Sequence, residues 1–416
     1  MLPIGLYLIT LFIAPQVWAE PLLGLRVDLV IYPLWFTALA LQGRAGEVFR
    51  LHTQDWFFAG FVTWVALSMT VNEPPARYDE ILGNYLKWLL MYRLTAVSID
   101  SPQALRRVSW ALMTVIGVVA IEAIAHLTTG EGWAHQGFAW VDPSAASVGV
   151  TQRTRWVGIF DGPGVFCVMF TIALPFALQY AAKAYGKRGL LGAMAIGLPL
   201  FGYAIFSTGS RGGFLAAIAM VGFWLLSRYE ITFKRIVLSA VIAVLGILVG
   251  PTYLTSTSDS SKSAQHRVDM WVEGIDMVQS HPLVGIGRGN FARETGLLIA
   301  HNSGIELMGE TGLVGVYLWL GVIYCGFRSV AARSREAGDE RERELLNALG
   351  LCLLGYLLSS LFVTLEYETL YFVLGLTAGV RSYTVGEQPF VTRDAKIMAV
   401  IVASYFVMVK LFAMSY

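Results

Sequence analysis

The residues best suited to chemistry lie in one polar stretch, residues 265–315, between long apolar runs. It carries Arg267, Arg288, His301 and Glu310 within 44 residues of sequence. A guanidinium can bond two oxygens of a phosphate at once, and an imidazole accepts a proton near neutral pH. Strong donors and a titratable ring gathered at one place in an apolar chain indicate a functional site. The pattern predicts a site for a dianionic group with one candidate base, His301.

Arg211, within the sequence FSTGSRGGF, is also predicted to bind an anion. A polar Ser-Thr-Gly-Ser break precedes an apolar run there, so backbone N–H groups and the guanidinium would meet at a helix N-terminus. The alternative is a helix cap whose Arg211 reaches lipid headgroups.

Residues 265–279 have apolar residues at helical spacing, which predicts a helix on the membrane surface. Trp271 is expected at headgroup depth, with Arg267 one turn earlier reaching inward or contacting headgroups. The helix should end at Pro282. The glycines of GIGRGN then predict a tight turn that aims Arg288 at the bundle. The preceding stretch, 252–263, has the composition of turns.

The remaining candidates lie near the ends of apolar runs. Arg155 precedes the sequence FDGPG, whose glycines and proline should unwind a helix end and present either Arg155 or Asp161 to a cavity. Lys87 lies inside an apolar run, where it serves a site or extends to the surface. Glu310, two to three turns after His301, would hold an arginine or line the site.

No pattern in the sequence predicts a metal or a cofactor, because outward DxD, CxxC and HExxH spacings are missing. The acids at 269, 273 and 276 fit a solvated helix face. The three cysteines, all in apolar runs, fit small core residues.

Composition predicts the fold class. The 416 residues are 56% hydrophobic and 14% charged, with a mean hydropathy of +0.60. A soluble domain carries about 25% charged residues. We therefore expect an all-α polytopic membrane protein, a single bundle over residues 1–416, with about 12 transmembrane helices. A net charge of +1 argues against a nucleic-acid partner.

The expected spans are 3–18, 27–42, 55–71, 81–98, 105–127, 156–182, 190–207, 212–228, 236–251, 302–327, 345–364 and 367–381, with a further helix at 397–413 that spans or lies at the interface.

Lys and Arg predict the orientation, since one set of alternate loops carries twice as many as the other. The richer side should be cytoplasmic, which places the N-terminus inside. The long loop 252–301, carrying the surface helix and part of the site, is then periplasmic. The arginines found on the poorer side oppose the trend, which favours a role for them in the site.

Three blocks in order resemble the O-antigen ligase and O-antigen polymerase superfamily: SxGSRGG, then HRxxMW with HPLVGIGxGNF, then HNSxIExxGExGLVG. The N-terminal half also resembles probable O-glycosylation ligases linked to exosortase systems. The likeness runs from about residue 155 to residue 315, with similar hydropathy over the remainder. It implies that Arg211 and Arg267 are the family's arginines and that His301 is its essential histidine. Arg288 stands where the family often has a small residue or proline.

The resemblance implies a glycosyltransferase in the bacterial inner membrane with its site facing the periplasm. It would move a glycan from undecaprenyl diphosphate to lipid A–core, with inversion and without metal or cofactor. The alternatives are an O-antigen polymerase or a protein O-oligosaccharyl ligase. A transporter fits less well, because the charges lie at the outer rim and no internal repeat is visible.

Overall fold

A computed structural model describes residues 2–72, 74–139, 152–180, 197–228, 258–296, 299–383 and 389–414. Within these ranges all regular structure is helical, which confirms the all-α prediction. The α-helices are α1 (Leu2–Leu8), α2 (Pro15–Trp18), α3 (Asp28–Leu41), α4 (Thr53–Val71), α5 (Tyr78–Ser98), α6 (Pro102–Thr129), α7 (Pro163–Pro175), α8 (Leu198–Ser207), α9 (Arg211–Arg228), α10 (Ser258–Ser280), α11 (Phe291–Glu294), α12 (Ser303–Glu336), α13 (Glu340–Ser360), α14 (Glu368–Val380) and α15 (Thr392–Met414). Short π segments cover Ile9–Ile13 and Phe176–Tyr180, and 3₁₀ turns cover Glu20–Leu22, Ala45–Phe49, Gly158–Phe160 and Arg381–Tyr383.

Most expected spans coincide with these helices. Among the described residues α6, α12 and α15 are long and apolar enough to cross a membrane, and several shorter apolar helices accompany them. The expected span at 236–251 lies outside the described residues. The count of about 12 spans, the orientation of the loops and the single-bundle organisation remain predictions.

Contacts group the chain into two compact units. The first contains residues 1–35, 102–260 and 337–362. Here α7 packs on α8, α9 and α13, while α6 packs on α8. Phe166, Cys167, Phe170 and Cys352 are fully buried, so both thiols act as small apolar core groups.

The second unit contains residues 36–101, 261–336 and 363–416. In this unit α14 packs along α5, and α12 packs on α4, α14 and α15. Its centre is aromatic: Phe58 stacks on Tyr371 with ring centroids 4.4 Å apart, and Tyr92 meets Phe58 edge-on at 5.2 Å. A buried ion pair joins Arg93 to Asp55 at 2.7 Å.

Helix α12 is broken at Gly312, which has a φ of 68°. A Cβ at this position would lie 2.2 Å from the carbonyl oxygen of Leu283, so only glycine allows the loop after α10 to approach so closely. That loop bonds to the broken turn through Ile286 N to Gly309 O at 3.0 Å and Gly287 N to Glu310 O at 2.9 Å. The break thus gives the loop a docking place on α12.

Helix α4 supplies the remaining donors for this junction. The Ser68 hydroxyl lies within hydrogen-bond distance of Val284 O at 2.6 Å and of Glu310 O at 2.8 Å. Trp64 Nε1 donates to Thr311 O at 2.9 Å. Buried carbonyls freed by a helix break need such partners. These bonds hold the loop between α10 and α11, residues 281–290 and called the glycine loop below, to the start of α12.

The stretch 252–263, predicted as turns, is partly helical, because α10 begins at Ser258. Serine and aspartate favour helix N-termini as well as turns, which explains the error. Residues 252–257 lie outside the described residues. Helix α10 ends at Ser280, two residues before the proline predicted to end it.

Candidate functional site

His301 lies two residues before the start of α12 in the second unit and has a left-handed backbone, with a φ of 51°. For a residue with a Cβ this conformation costs about 1–2 kcal/mol, so its neighbours must hold it. The preceding residue, Ala300, is fully buried and its two backbone groups are both bonded. Its N–H donates to Glu306 Oε2 at 3.3 Å, and its carbonyl accepts from Trp271 Nε1 at 3.0 Å. The backbone before His301 is therefore fixed from two helices.

Asn302 fixes the backbone on the other side of His301. Its Oδ1 accepts from the N–H groups of Gly304 at 3.0 Å and Ile305 at 3.3 Å, the pattern of a helix N-cap. The same oxygen accepts from the Tyr405 hydroxyl at 2.6 Å, which ties α12 to α15. His301 thus lies on a short bridge between two anchored residues.

Arg267 lies on the helix that contacts this bridge. It lies four residues before Trp271 on α10, and residues at that spacing share a helix face about 5–6 Å apart. Trp271 bonds to Ala300, so the half-buried Arg267 lies about one helical turn from the residue that contacts the backbone before His301. The indole also packs on Phe412 with ring centroids 5.6 Å apart. Its N–H is used inside the protein; the headgroup depth expected for Trp271 remains a prediction.

Arg288 lies at the centre of a carboxylate cluster in the second unit. Its guanidinium contacts Glu310 closely and lies 2.7 Å from Glu366 Oε2 and 3.5 Å from Glu306 Oε1. Its Nε donates to the Tyr85 hydroxyl at 2.9 Å. With its side chain 14% exposed, Arg288 points inward as the glycine-rich turn predicted. Burial alone would lower its pKa, but Glu310 and the other anions raise it above its ordinary value.

Glu310 connects this cluster to the glycine loop. Its Oε1 accepts from the N–H groups of Gly289 at 3.0 Å and Phe291 at 2.9 Å, while its other oxygen meets Arg288. The expectation that Glu310 holds an arginine matches this geometry.

Glu366, Tyr85 and Thr364 join the cluster but were not among the sequence candidates. Glu366 lies in the link that precedes α14 along the chain, is buried, and accepts from Tyr85 at 2.6 Å and from Tyr371 at 2.5 Å. Burial raises the pKa of Glu366 above its ordinary value, against the opposing charge of Arg288. The sequence signal that could have identified Glu366 was an acid in the short LEYE link between two apolar runs. No sequence pattern indicated that Tyr85 and Tyr371 would be the hydrogen-bond partners of Glu366.

Lys87 lies on α5 two residues after Tyr85 and is half-buried. Residues two apart on a helix face different sides, so Lys87 does not share the face of Tyr85 that meets Arg288. Its expected role in binding remains a prediction.

Arg211 opens α9 in the first unit. Ser210 caps this helix, since its hydroxyl accepts from Gly213 N at 3.2 Å. A Cβ at Gly212 would lie 2.3 Å from Phe362, and one at Gly213 would lie 2.3 Å from Cys167 Sγ. The glycines therefore let the first turn of α9 pack closely against its neighbours, while Arg211 remains half-buried.

Arg155 and Asp161, predicted as alternatives, are bonded to each other in the first unit. Arg155 Nη1 lies 2.7 Å from Asp161 Oδ1, and Arg155 Nε donates to Gly137 O at 3.0 Å. Helix α7 starts only at Pro163, so the helix end is unwound as the sequence predicted. The pair fixes the loop before α7.

The structure thus brings the sequence candidates together in groups. His301, Trp271 and Arg267 form one group and Arg288 with Glu310 another, both in the second unit. Arg211 and the Arg155–Asp161 pair belong to the first unit. Within the described ranges no set of three His, Cys, Asp or Glu residues has a geometry that could hold a metal. The first group combines an imidazole, a guanidinium and a backbone held by hydrogen bonds.

A family model described as O-antigen ligase matches residues 196–320. The matched segment contains Arg211, Arg267, Arg288, His301 and Glu310. The resemblance to the O-antigen ligase and polymerase superfamily is confirmed, and the match supports ligase-type or polymerase-type activity on lipid-linked glycans. No curated protein matches the chain.

Proposed function

We propose that this protein is an O-antigen ligase of the bacterial inner membrane. It transfers a glycan from undecaprenyl diphosphate to lipid A–core at the periplasmic face, with inversion and without a metal ion. The family match over residues 196–320 and the apolar helices support the class of activity and the membrane setting.

One observation carries the assignment of roles: the hydrogen bond from Trp271 Nε1 to Ala300 O. It joins two blocks that are about 30 residues apart in sequence and brings the Arg267 face of α10 to the residue before His301. A cationic group on the helix that bonds to the backbone before an imidazole suits a reaction with an anionic leaving group and a hydroxyl nucleophile.

In the proposed reaction a hydroxyl oxygen of lipid A–core attacks the anomeric carbon of the donor glycan. The bond between that carbon and the diphosphate oxygen breaks, and undecaprenyl diphosphate leaves with the electron pair. The hydroxyl proton passes to the His301 ring. Because the nucleophile displaces the leaving group directly, the anomeric configuration inverts.

Arg267 and Arg211 are the proposed ligands of the diphosphate. Guanidinium groups bind phosphate oxygens in a bidentate manner, which offsets the charge that develops as the leaving group departs. Arg288 is a weaker candidate, because the carboxylates around it already occupy its N–H groups. Arg155 is likewise engaged by Asp161.

The acceptor is tested by reconstituting the purified protein with a lipid-linked glycan, with and without lipid A–core, and separating the products on a gel. A product that requires lipid A–core and migrates with it supports the ligase. Longer lipid-linked glycan without lipid A–core would identify a polymerase. No new product under either condition, but transfer when an acceptor protein is added, would identify a protein ligase.

A further inference from the structure

Glu306 lies at the meeting point of the two groups in the second unit. Its Oε2 accepts from Ala300 N at 3.3 Å and from the Thr364 hydroxyl at 2.7 Å. Its Oε1 lies 3.5 Å from Arg288 Nη1. The side chain is only 9% exposed, so this carboxylate contacts protein groups on most of its surface.

The Ala300 amide needs this acceptor. Ala300 is fully buried, and a buried N–H without a partner costs about 1–3 kcal/mol. The amide also lies one residue before His301, whose left-handed backbone is itself strained. Loss of the acceptor would let the bridge relax toward an ordinary conformation, and the imidazole would turn with it.

Arg288 and Thr364 hold Glu306 in the orientation that meets Ala300. Arg288 is itself fixed by Glu366 at 2.7 Å and by Tyr85 at 2.9 Å. The cluster therefore connects α5, the glycine loop and the link before α14 to the backbone of His301. All residues of this cluster, from Tyr85 to Glu366, belong to the second unit.

We propose that Glu306 is a positioning residue for His301: its carboxylate, oriented by Thr364 and Arg288, holds the Ala300 amide and so fixes the left-handed backbone that aims the imidazole. The inference rests on the proposed function, in which His301 is the base. It also assigns Arg288 a supporting role for Glu306 instead of a role in binding the diphosphate.

The test compares Glu306→Gln with Glu306→Leu in the reconstituted full-length protein. Glutamine keeps a carbonyl oxygen that can accept from Ala300 N–H, whereas leucine has no acceptor. We expect Glu306→Leu to lower kcat by at least about fivefold, the kinetic equivalent of an unsatisfied buried amide. The KM for donor should stay within about twofold because the diphosphate ligands are untouched, and glutamine should restore most of kcat.

A second readout does not depend on catalysis. Hydrogen exchange of the peptide covering residues 299–305 should speed up in Glu306→Leu and stay near wild type in Glu306→Gln. Thr364→Val, which keeps the carboxylate but removes one of the groups that orients it, should give a smaller loss of kcat than Glu306→Leu. Thr364→Val provides the test if Glu306→Leu does not fold.

Asp55→Asn is the matched control, since Asp55 is an equally buried carboxylate paired with Arg93 in the same unit. It should leave kcat and exchange at 299–305 unchanged. The proposal is overturned if Glu306→Leu keeps wild-type kcat, if glutamine is as damaging as leucine, or if the control lowers kcat equally. His301→Ala in the same assay distinguishes failure of the proposed function from failure of the positioning role of Glu306. Wild-type turnover in His301→Ala would refute the role of His301 as the base, and positioning by Glu306 would then have no effect on catalysis.

Discussion

Replacing Trp271 by phenylalanine removes one hydrogen bond and little else, because the aromatic packing on Phe412 can remain. The lost partner is the carbonyl of Ala300, a fully buried residue. An unsatisfied buried acceptor costs about 1–3 kcal/mol. If the whole cost falls on the transition state, kcat drops about 5-fold to about 150-fold, at 1.36 kcal/mol for each factor of ten.

Trp64→Phe provides a matched control. Trp64 Nε1 donates to Thr311 O at 2.9 Å in the same unit, so the control loses the same kind of bond. Both variants should lower the unfolding temperature by similar amounts. Only Trp271→Phe should lower kcat, because only its carbonyl partner adjoins His301.

The assay is transfer of a lipid-linked glycan to lipid A–core by purified protein in liposomes, with initial rates taken at saturating donor. Wild-type kcat in Trp271→Phe would refute the idea that this bond positions His301. Equal losses in both variants would attribute the effect to general loosening of the unit.

Four further outcomes are expected. Arg267→Lys and Arg211→Lys should each impair transfer strongly although the charge is kept, and the two alanine variants should impair it more and weaken donor binding. Full activity of both lysine variants would contradict diphosphate binding by these residues. Treatment with EDTA should leave transfer intact, and rescue by Mg²⁺ of an inactivated sample would disprove metal independence. Burial raises the pKa of Glu366, so its contribution to stability is present below the ordinary pKa of about 4.3 and is lost as pH rises through the raised pKa. The unfolding temperature of wild type should therefore fall relative to that of Glu366→Gln as pH rises above about 4, and a constant difference would argue against it. Gly285→Ala places a Cβ 2.3 Å from the Glu310 carbonyl carbon at a φ of 66°, so it should lower the unfolding temperature, whereas Gly83→Ala, which meets nothing within 4 Å, should not.

The sequence predicted the helices well because apolar runs of span length have few alternatives in a chain this hydrophobic. The helix at Tyr78–Ser98 and the one at Glu368–Val380 begin and end within a few residues of the predicted spans. The start of the helix at Ser258 was missed, since serine and aspartate serve turns and helix caps equally well.

The candidate site was predicted in part. The inward turn of Arg288 was expected from its flanking glycines, and the pairing of Glu310 with an arginine was one of the two roles expected for that residue. The contact of Glu366 with Arg288 could not be foreseen, because Glu366 comes from a link about 80 residues further along the chain. Such partners depend on how α5, α12 and the link before α14 pack, and no local pattern encodes that packing.

The left-handed backbone of His301 was also beyond prediction. Histidine rarely adopts it, and the bonds that hold it come from Trp271 on one helix and Glu306 on another. The sequence placed an imidazole near arginines, whereas the structure shows how its backbone is held.

The role of His301 as the base is tested most directly by single-turnover transfer with His301→Ala at saturating donor and lipid A–core. Loss of a general base typically costs about 10²–10⁴ in rate. We expect a fall of that size while the variant inserts in the membrane and binds the lipid-linked donor as wild type does. Transfer at a rate near that of wild type would contradict the assignment of His301 as the base.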